Sequence, residues 1–209
     1  EIKSQRQSKL IEQQKGKIKQ DHPDYPTLVV LEAFAAHLAK NPKTVITLLE
    51  ELLLQVQYSG LPSQEPRTKQ IRFLVGALGS YEIWRNLLYL LLGQAYYETG
   101  ETEKAIYYLS GVPVTSKFGA LANIENVWAN FKLDRSADAE KIIQELGRGA
   151  AQLNPRLRDE LNLQRAYLAV EKRQPEEAKN LALAVKFKSS ERLFAIQQKV
   201  LAQSSFDLF

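Results

Sequence analysis

The sequence predicts an all-α chain of paired helices, and two observations carry that expectation. Apolar side chains recur with a helical period along most of the 209 residues, and no stretch shows the sustained alternation and β-branched enrichment of a strand. Proline, glycine and Asn-Pro pairs cut the chain at helix-length intervals.

Residues 1–20 are polar, Gln-rich and basic, with only Ile2, Leu10, Ile11 and Ile18 apolar. They read as a helical or disordered arm, extending to about residue 24. His22-Pro23-Asp24-Tyr25-Pro26 breaks the chain. A helix is predicted over 27–40. Asn41-Pro42 starts the next, with Asn as cap and Pro at the first helical position, and this helix ends near Tyr58-Ser59-Gly60. Pro62 and Pro66 mark a loop over 61–67, followed by a helix over 69–78. Further helices are predicted at 81–99, 102–110, 117–132, 136–152, 156–172, 175–186 and 189–203. Asn154-Pro155 and Gln174-Pro175 read as starts of the same kind as Asn41-Pro42. The helix over 137–150 has the clearest face: Ala139, Ile142, Ile143, Leu146 and Ala150 form one stripe, opposite Asp138, Glu140, Lys141 and Glu145. Residues 87–92 are apolar around the whole helix circumference. Such a helix is either covered on most sides or lines an apolar groove with Leu87 and Leu90.

Residues 89–105 are the most informative stretch. Tyr89, Leu92, Gly93 and Tyr96 share one helical face. Glycine inside a helix costs about 1 kcal/mol relative to alanine, so Gly93 points to a second helix approaching closely. Gly100 ends the helix, because it reaches φ > 0 without a Cβ penalty. Ala105 is then the small residue of the returning helix that packs near Gly93. This arrangement resembles one tetratricopeptide repeat (TPR), with its aromatic, Leu-Gly, Tyr, turn glycine and alanine at the family's spacing. Ala139 lies 34 residues beyond Ala105, with Asp134 in place of Gly100, Val127 in place of the glycine and Asn130 in place of the tyrosine. Asp tolerates a left-handed turn better than most residues. Ala178 lies 39 residues beyond Ala139, so a third unit carries an insertion. The repeats span about 86–119, 120–153 and 157–190. Upstream, Ala33 to Val45 forms a helix–turn–helix with small residues and no signature.

The resemblance implies a right-handed α-solenoid of about three TPR-like units over residues 25–209. It also implies a concave surface made by the first helix of each unit. Projected onto this sequence, that surface takes Leu87, Leu90, Gln94, Tyr97 and Glu98 from one unit and Leu121, Ile124, Trp128, Phe131 and Lys132 from the next. Trp128 and Phe131 share a face as aromatic anchors, unless both belong to the core. Leu90 and Gln94 stand where TPR domains that clamp a carboxyl terminus need Lys and Asn. An apolar or amphipathic protein segment is therefore the expected partner.

Composition narrows the function classes. The formal charge of +4 resides in residues 1–20, which hold six basic and two acidic side chains, leaving 22 of each sign elsewhere. A neutral body argues against a long nucleic-acid groove. Cysteine is absent, which excludes disulfides, thiol nucleophiles and thiolate metal sites. No run of about 18 apolar residues spans a membrane. His22 and His37 form no HExxH pattern, and no phosphate-binding or nucleophile-elbow glycine motif occurs. Neither a catalytic site, a metal site nor a cofactor is expected. The chain begins at Glu1 and contains no Met, which predicts a processed protein or a fragment. With the basic arm, this leans toward a bacterial membrane-associated or periplasmic protein that assembles or localises a complex. Two alternatives stay open: self-association through the arm or the apolar 204–209 tail, and membrane-surface attachment through residues 1–20.

Overall fold

The computed structural model describes residues 25–59, 81–186 and 191–206. The basic arm, the 61–67 loop, the helix expected at 69–78 and the last three residues of the tail lie outside them. The described residues are helical throughout, with turns between helices and no strand. The chain divides into two compact units, Glu1–Phe118 and Gly119–Phe209.

The first unit contains α1 (Tyr25–Leu38), α2 (Pro42–Ser59), α3 (Tyr81–Thr99) and α4 (Thr102–Ser110). Helices α1 and α2 pair, as do α3 and α4, and α3 also packs on α2. The second unit contains α5 (Gly119–Lys132), α6 (Ser136–Arg148), a short 3-10 turn (Ala150–Gln152), α7 (Pro155–Glu171), α8 (Pro175–Ala184) and α9 (Glu191–Phe206). Helix α6 pairs with α5 and α8 with α7; α7 also packs on α5 and α6, and α9 closes over α7 and α8. The helix expected to run from 136 to 152 stops at Arg148. Gly147 and Gly149 supply little helix propensity there, and the chain tightens into the 3-10 turn.

The four helical hairpins close with one turn. Lys40, Gly100, Asp134 and Arg173 each have positive φ, at 56°, 86°, 56° and 57°. In each, the following amide donates five residues back: Asn41 to Ala36, Glu101 to Tyr96, Arg135 to Asn130 and Gln174 to Ala169, all at 2.9–3.0 Å. The positive-φ residue itself donates three residues back, to His37, Tyr97, Phe131 and Val170. This is the paired bonding of a Schellman cap, and it satisfies carbonyls that the helix end would leave orphaned.

Packing repeats with the turn. Seven residues before it stand Ala33, Gly93, Val127 and Ala166, all buried. Five after it stand Val45, Ala105, Ala139 and Ala178, each with 0% exposure. Small side chains at these two places let the paired helices approach closely. At Gly93 the approach is close: an added Cβ would lie 2.4 Å from Leu109 Cγ and 3.4 Å from the Ala105 carbonyl oxygen.

Buried amides tie helices together within the second unit. Gln164 of α7 donates to the Ile124 carbonyl of α5 at 2.8 Å. Gln197 of α9 donates to the Ala182 and Val185 carbonyls at 2.8 and 3.3 Å, covering the end of α8. Ala166, Ala169, Ala178, Ala182 and Val200 form the core beneath that contact.

Two of the three X-Pro starts carry a side-chain cap. Asn41 Oδ1 accepts from the Thr44 amide at 3.3 Å, and Asn154 Oδ1 from the Leu157 amide at 3.0 Å. Gln174 makes no such bond. Its extra methylene carries the amide past the first-turn N–H groups, and glutamine is not a favoured cap. Asn154→Ala should therefore cost about 1 kcal/mol in a denaturation experiment, whereas Gln174→Ala should leave stability within about 0.5 kcal/mol.

Candidate interaction surfaces

The ten residues projected onto a concave surface differ in accessibility. Glu98 and Lys132 are exposed; Leu87, Gln94, Tyr97 and Leu121 are half-buried. Leu90, Ile124, Trp128 and Phe131 are buried. A buried side chain offers a partner no direct contact, so the accessible candidates are Leu87, Gln94, Tyr97 and Glu98 on α3 of the first unit and, separately, Leu121 and Lys132 on α5 of the second.

Trp128 and Phe131 do share a face, and that face points into the second unit. Their rings meet edge to face at 5.8 Å, and Tyr167 of α7 completes a triangle at 6.2 Å from Trp128 and 4.8 Å from Phe131. The Trp128 indole N–H donates to Glu160 of α7 at 3.0 Å. The two aromatics thus pin α5 to α7.

The first unit carries a polar aromatic cluster that the sequence reading did not single out. Glu50 of α2 accepts a short hydrogen bond from the Tyr96 hydroxyl and a longer one, at 3.4 Å, from the Tyr108 hydroxyl. Tyr96 and Tyr108 stack at 5.6 Å, while Tyr89 and Tyr107 meet Tyr108 edge-on at 5.5 and 5.2 Å. Tyr89 and Tyr96 stand out in the sequence as packing aromatics, but their carboxylate partner does not. A signal existed: Glu50, Leu53 and Leu54 share one face of α2, which sets a single carboxylate in an apolar stripe.

Burial pushes the Tyr108 hydroxyl up to about 12, and the Glu50 charge adds to the effect. The Tyr96 hydroxyl is raised by the same causes, burial first and then the Glu50 hydrogen bond. Burial raises Tyr167 as well, aided by Glu171 and Asp134. A phenol whose folded pKa exceeds its unfolded value of about 10 holds its proton more tightly in the folded state. Its stabilising contribution is complete below pH 10 and is lost as pH rises toward 12. Unfolding free energy should therefore fall between pH 10 and 12. Of the nine tyrosines, Tyr96, Tyr108 and Tyr167 should form tyrosinate late, together with loss of helicity. Tyrosinate absorbance followed beside circular dichroism checks this.

Two other features are solvent-facing. Leu31, Phe34 and Leu38 lie three and four residues apart on α1 and are 49%, 40% and 60% exposed. In the second unit a cavity of about 290 Å³ opens between α6, α7 and α8, bordered by Glu140, Gln144, Arg165, Lys172 and Glu177 among others. Lys172 pairs with Glu140 there and holds its carboxyl below the usual carboxylate range. Among the described residues no helix is long and apolar enough to cross a membrane, and no three His, Asp or Glu side chains are grouped to hold a metal ion. No protein-family model, no curated protein and no solved structure matches the chain.

Proposed function

We propose that the chain is a non-catalytic protein-interaction scaffold. In this reading the helical hairpins are TPR-like repeats of a right-handed α-solenoid. It captures an apolar or amphipathic segment of a partner on the faces of its first helices, in the assembly or localisation of a larger complex. One observation carries it: the four hairpins share a Schellman turn and bury a residue, mostly Ala or Gly, at the same two places on either side of it. Repetition of one helix pair is how a chain builds an extended binding face without catalytic chemistry. The half-buried and exposed residues of α3 supply a mixed apolar and polar surface suited to a helix or extended peptide.

The test compares capture of partners by the wild-type chain with capture by two variants of unchanged helicity. Leu87→Glu with Tyr97→Ala alters the first-helix face of α3. Leu183→Glu alters an exposed apolar residue on the second helix α8. A partner lost at least tenfold only in the α3 variant supports the scaffold reading. Equal retention in all three removes α3 from the binding surface.

Self-association is a second reading, favoured by the exposed Leu31, Phe34 and Leu38 stripe. Sedimentation over a wide concentration range separates the two, since a strict monomer excludes it.

A further inference from the structure

The tyrosine cluster of the first unit opens into a pocket of about 180 Å³ lined by Glu50, Leu53, Leu54, Tyr89, Tyr107 and Tyr108. We propose that this pocket binds an organic cation, an alkylammonium group of the kind carried by a lysine side chain or a small amine. Its Tyr89 wall belongs to α3, but none of Leu87, Gln94, Tyr97 and Glu98 lines it.

Three observations converge on that chemistry. First, Glu50 is half-buried, and its hydrogen bonds come from two neutral hydroxyls, Tyr96 and Tyr108. Among the described residues no lysine or arginine forms an ion pair with it. A carboxylate withdrawn from water gains most from a cation brought within a few ångströms. Second, the rings around it are arranged edge to face, with Tyr89 and Tyr107 both near perpendicular to Tyr108. Perpendicular rings present π-faces in different directions, which is how aromatic cages hold an ammonium group. The same cluster already attracts cations from within the chain. Arg85 lies 5.8 Å from the Tyr89 centroid and Lys104 lies 4.9 Å from that of Tyr96. Lys104 pairs with Glu101 at 2.7 Å and also feels the Glu50 charge, but it makes no ion pair with Glu50 and is not part of the pocket wall. Third, the walls are amphipathic in the right sense. Leu53 and Leu54 offer methyl groups to a methylene stem, while the carboxylate and phenols meet the charged end. The mouth is accessible, since Tyr107 is 67% exposed and Leu54 54% exposed. The volume suits an ammonium head with a short stem, given about 30 Å³ for one water.

The full chain, labelled for amide resonances, would be titrated with n-butylammonium, with the neutral isostere n-pentanol and with a capped Ala-Lys-Ala peptide. Saturable shifts confined to Leu53, Leu54, Tyr107 and Tyr108 are expected with butylammonium and the peptide, and none with pentanol. Glu50→Gln preserves the shape and an acceptor for the two hydroxyls, and it should weaken binding at least tenfold. Tyr107→Ala, at an exposed ring, should weaken it several-fold with helicity unchanged, which keeps the test valid if the Glu50 variant is poorly folded. Peptide binding tenfold tighter than butylammonium assigns the pocket to a protein-borne lysine; equal affinities assign it to a small amine. Pentanol binding as well as butylammonium, or an unaltered affinity in both variants, would overturn the proposal.

Discussion

Trp128→Ala should cost about 3–5 kcal/mol of unfolding free energy, the range for removing a large buried aromatic. The side chain is 5% exposed, and its removal leaves three things unmade. The ring contacts with Phe131 and Tyr167 disappear, the Glu160 carboxylate loses its indole donor, and a cavity opens between α5 and α7. Trp128→Phe should recover most of the packing but not the hydrogen bond, leaving a deficit of about 1–2 kcal/mol. Urea denaturation of the three proteins checks both values. A loss under 1 kcal/mol for the alanine variant would place the indole at the surface.

Gly93→Ala should destabilise the first unit, although alanine is the better helix former. The added Cβ would sit 2.4 Å from Cγ and 2.6 Å from Cδ2 of Leu109, a side chain with 0% exposure and little room to move. Overpacking of this kind costs about 1–3 kcal/mol and exceeds the roughly 1 kcal/mol that glycine gives up in helix propensity. The double variant Gly93→Ala with Leu109→Ala should be destabilised by less than the sum of the two single changes, because the second removes the obstruction to the first. Additive losses in that cycle would mean that the two residues do not touch.

Most of the helical architecture was legible because its punctuation is local. The bounds of α3 and α4 coincide with those read from the sequence, since Gly100 and the Gly111-Val112-Pro113 break act within a few residues of the ends they set. The turn at Asp134 was legible for the same reason. Lys40 and Arg173 gave no such signal. Neither residue favours a left-handed conformation, and each is held there by the two backbone hydrogen bonds around it. A clue lay in the spacing: an apolar residue or glycine, Ala in five of eight cases, stands seven before and five after each turn, a pattern visible once Ala33, Lys40 and Val45 are aligned on Gly93, Gly100 and Ala105.

The candidate surfaces were less legible, because exposure is a tertiary property. Helical period places Trp128 and Phe131 on one face, but only the position of α7 shows that this face is covered. Glu50 reads as one carboxylate among many until α3 and α4 bring Tyr96 and Tyr108 against it across 46 and 58 residues of chain.

The functional reading rests on the equivalence of the four hairpins, and the stability of four turn variants tests that equivalence most directly. If Lys40, Asp134 and Arg173 are left-handed as Gly100 is, glycine at each relieves a backbone cost of about 1–2 kcal/mol, partly offset by added chain entropy in the unfolded state. Lys40→Gly, Asp134→Gly and Arg173→Gly should each hold or raise the unfolding free energy, by up to about 1 kcal/mol, with Asp134 gaining least. Gly100→Ala should lower it by about 1 kcal/mol or more. A loss above 1 kcal/mol for any of the three glycine variants, or no loss for Gly100→Ala, would contradict a shared turn and with it the repeat on which the scaffold is proposed to be built.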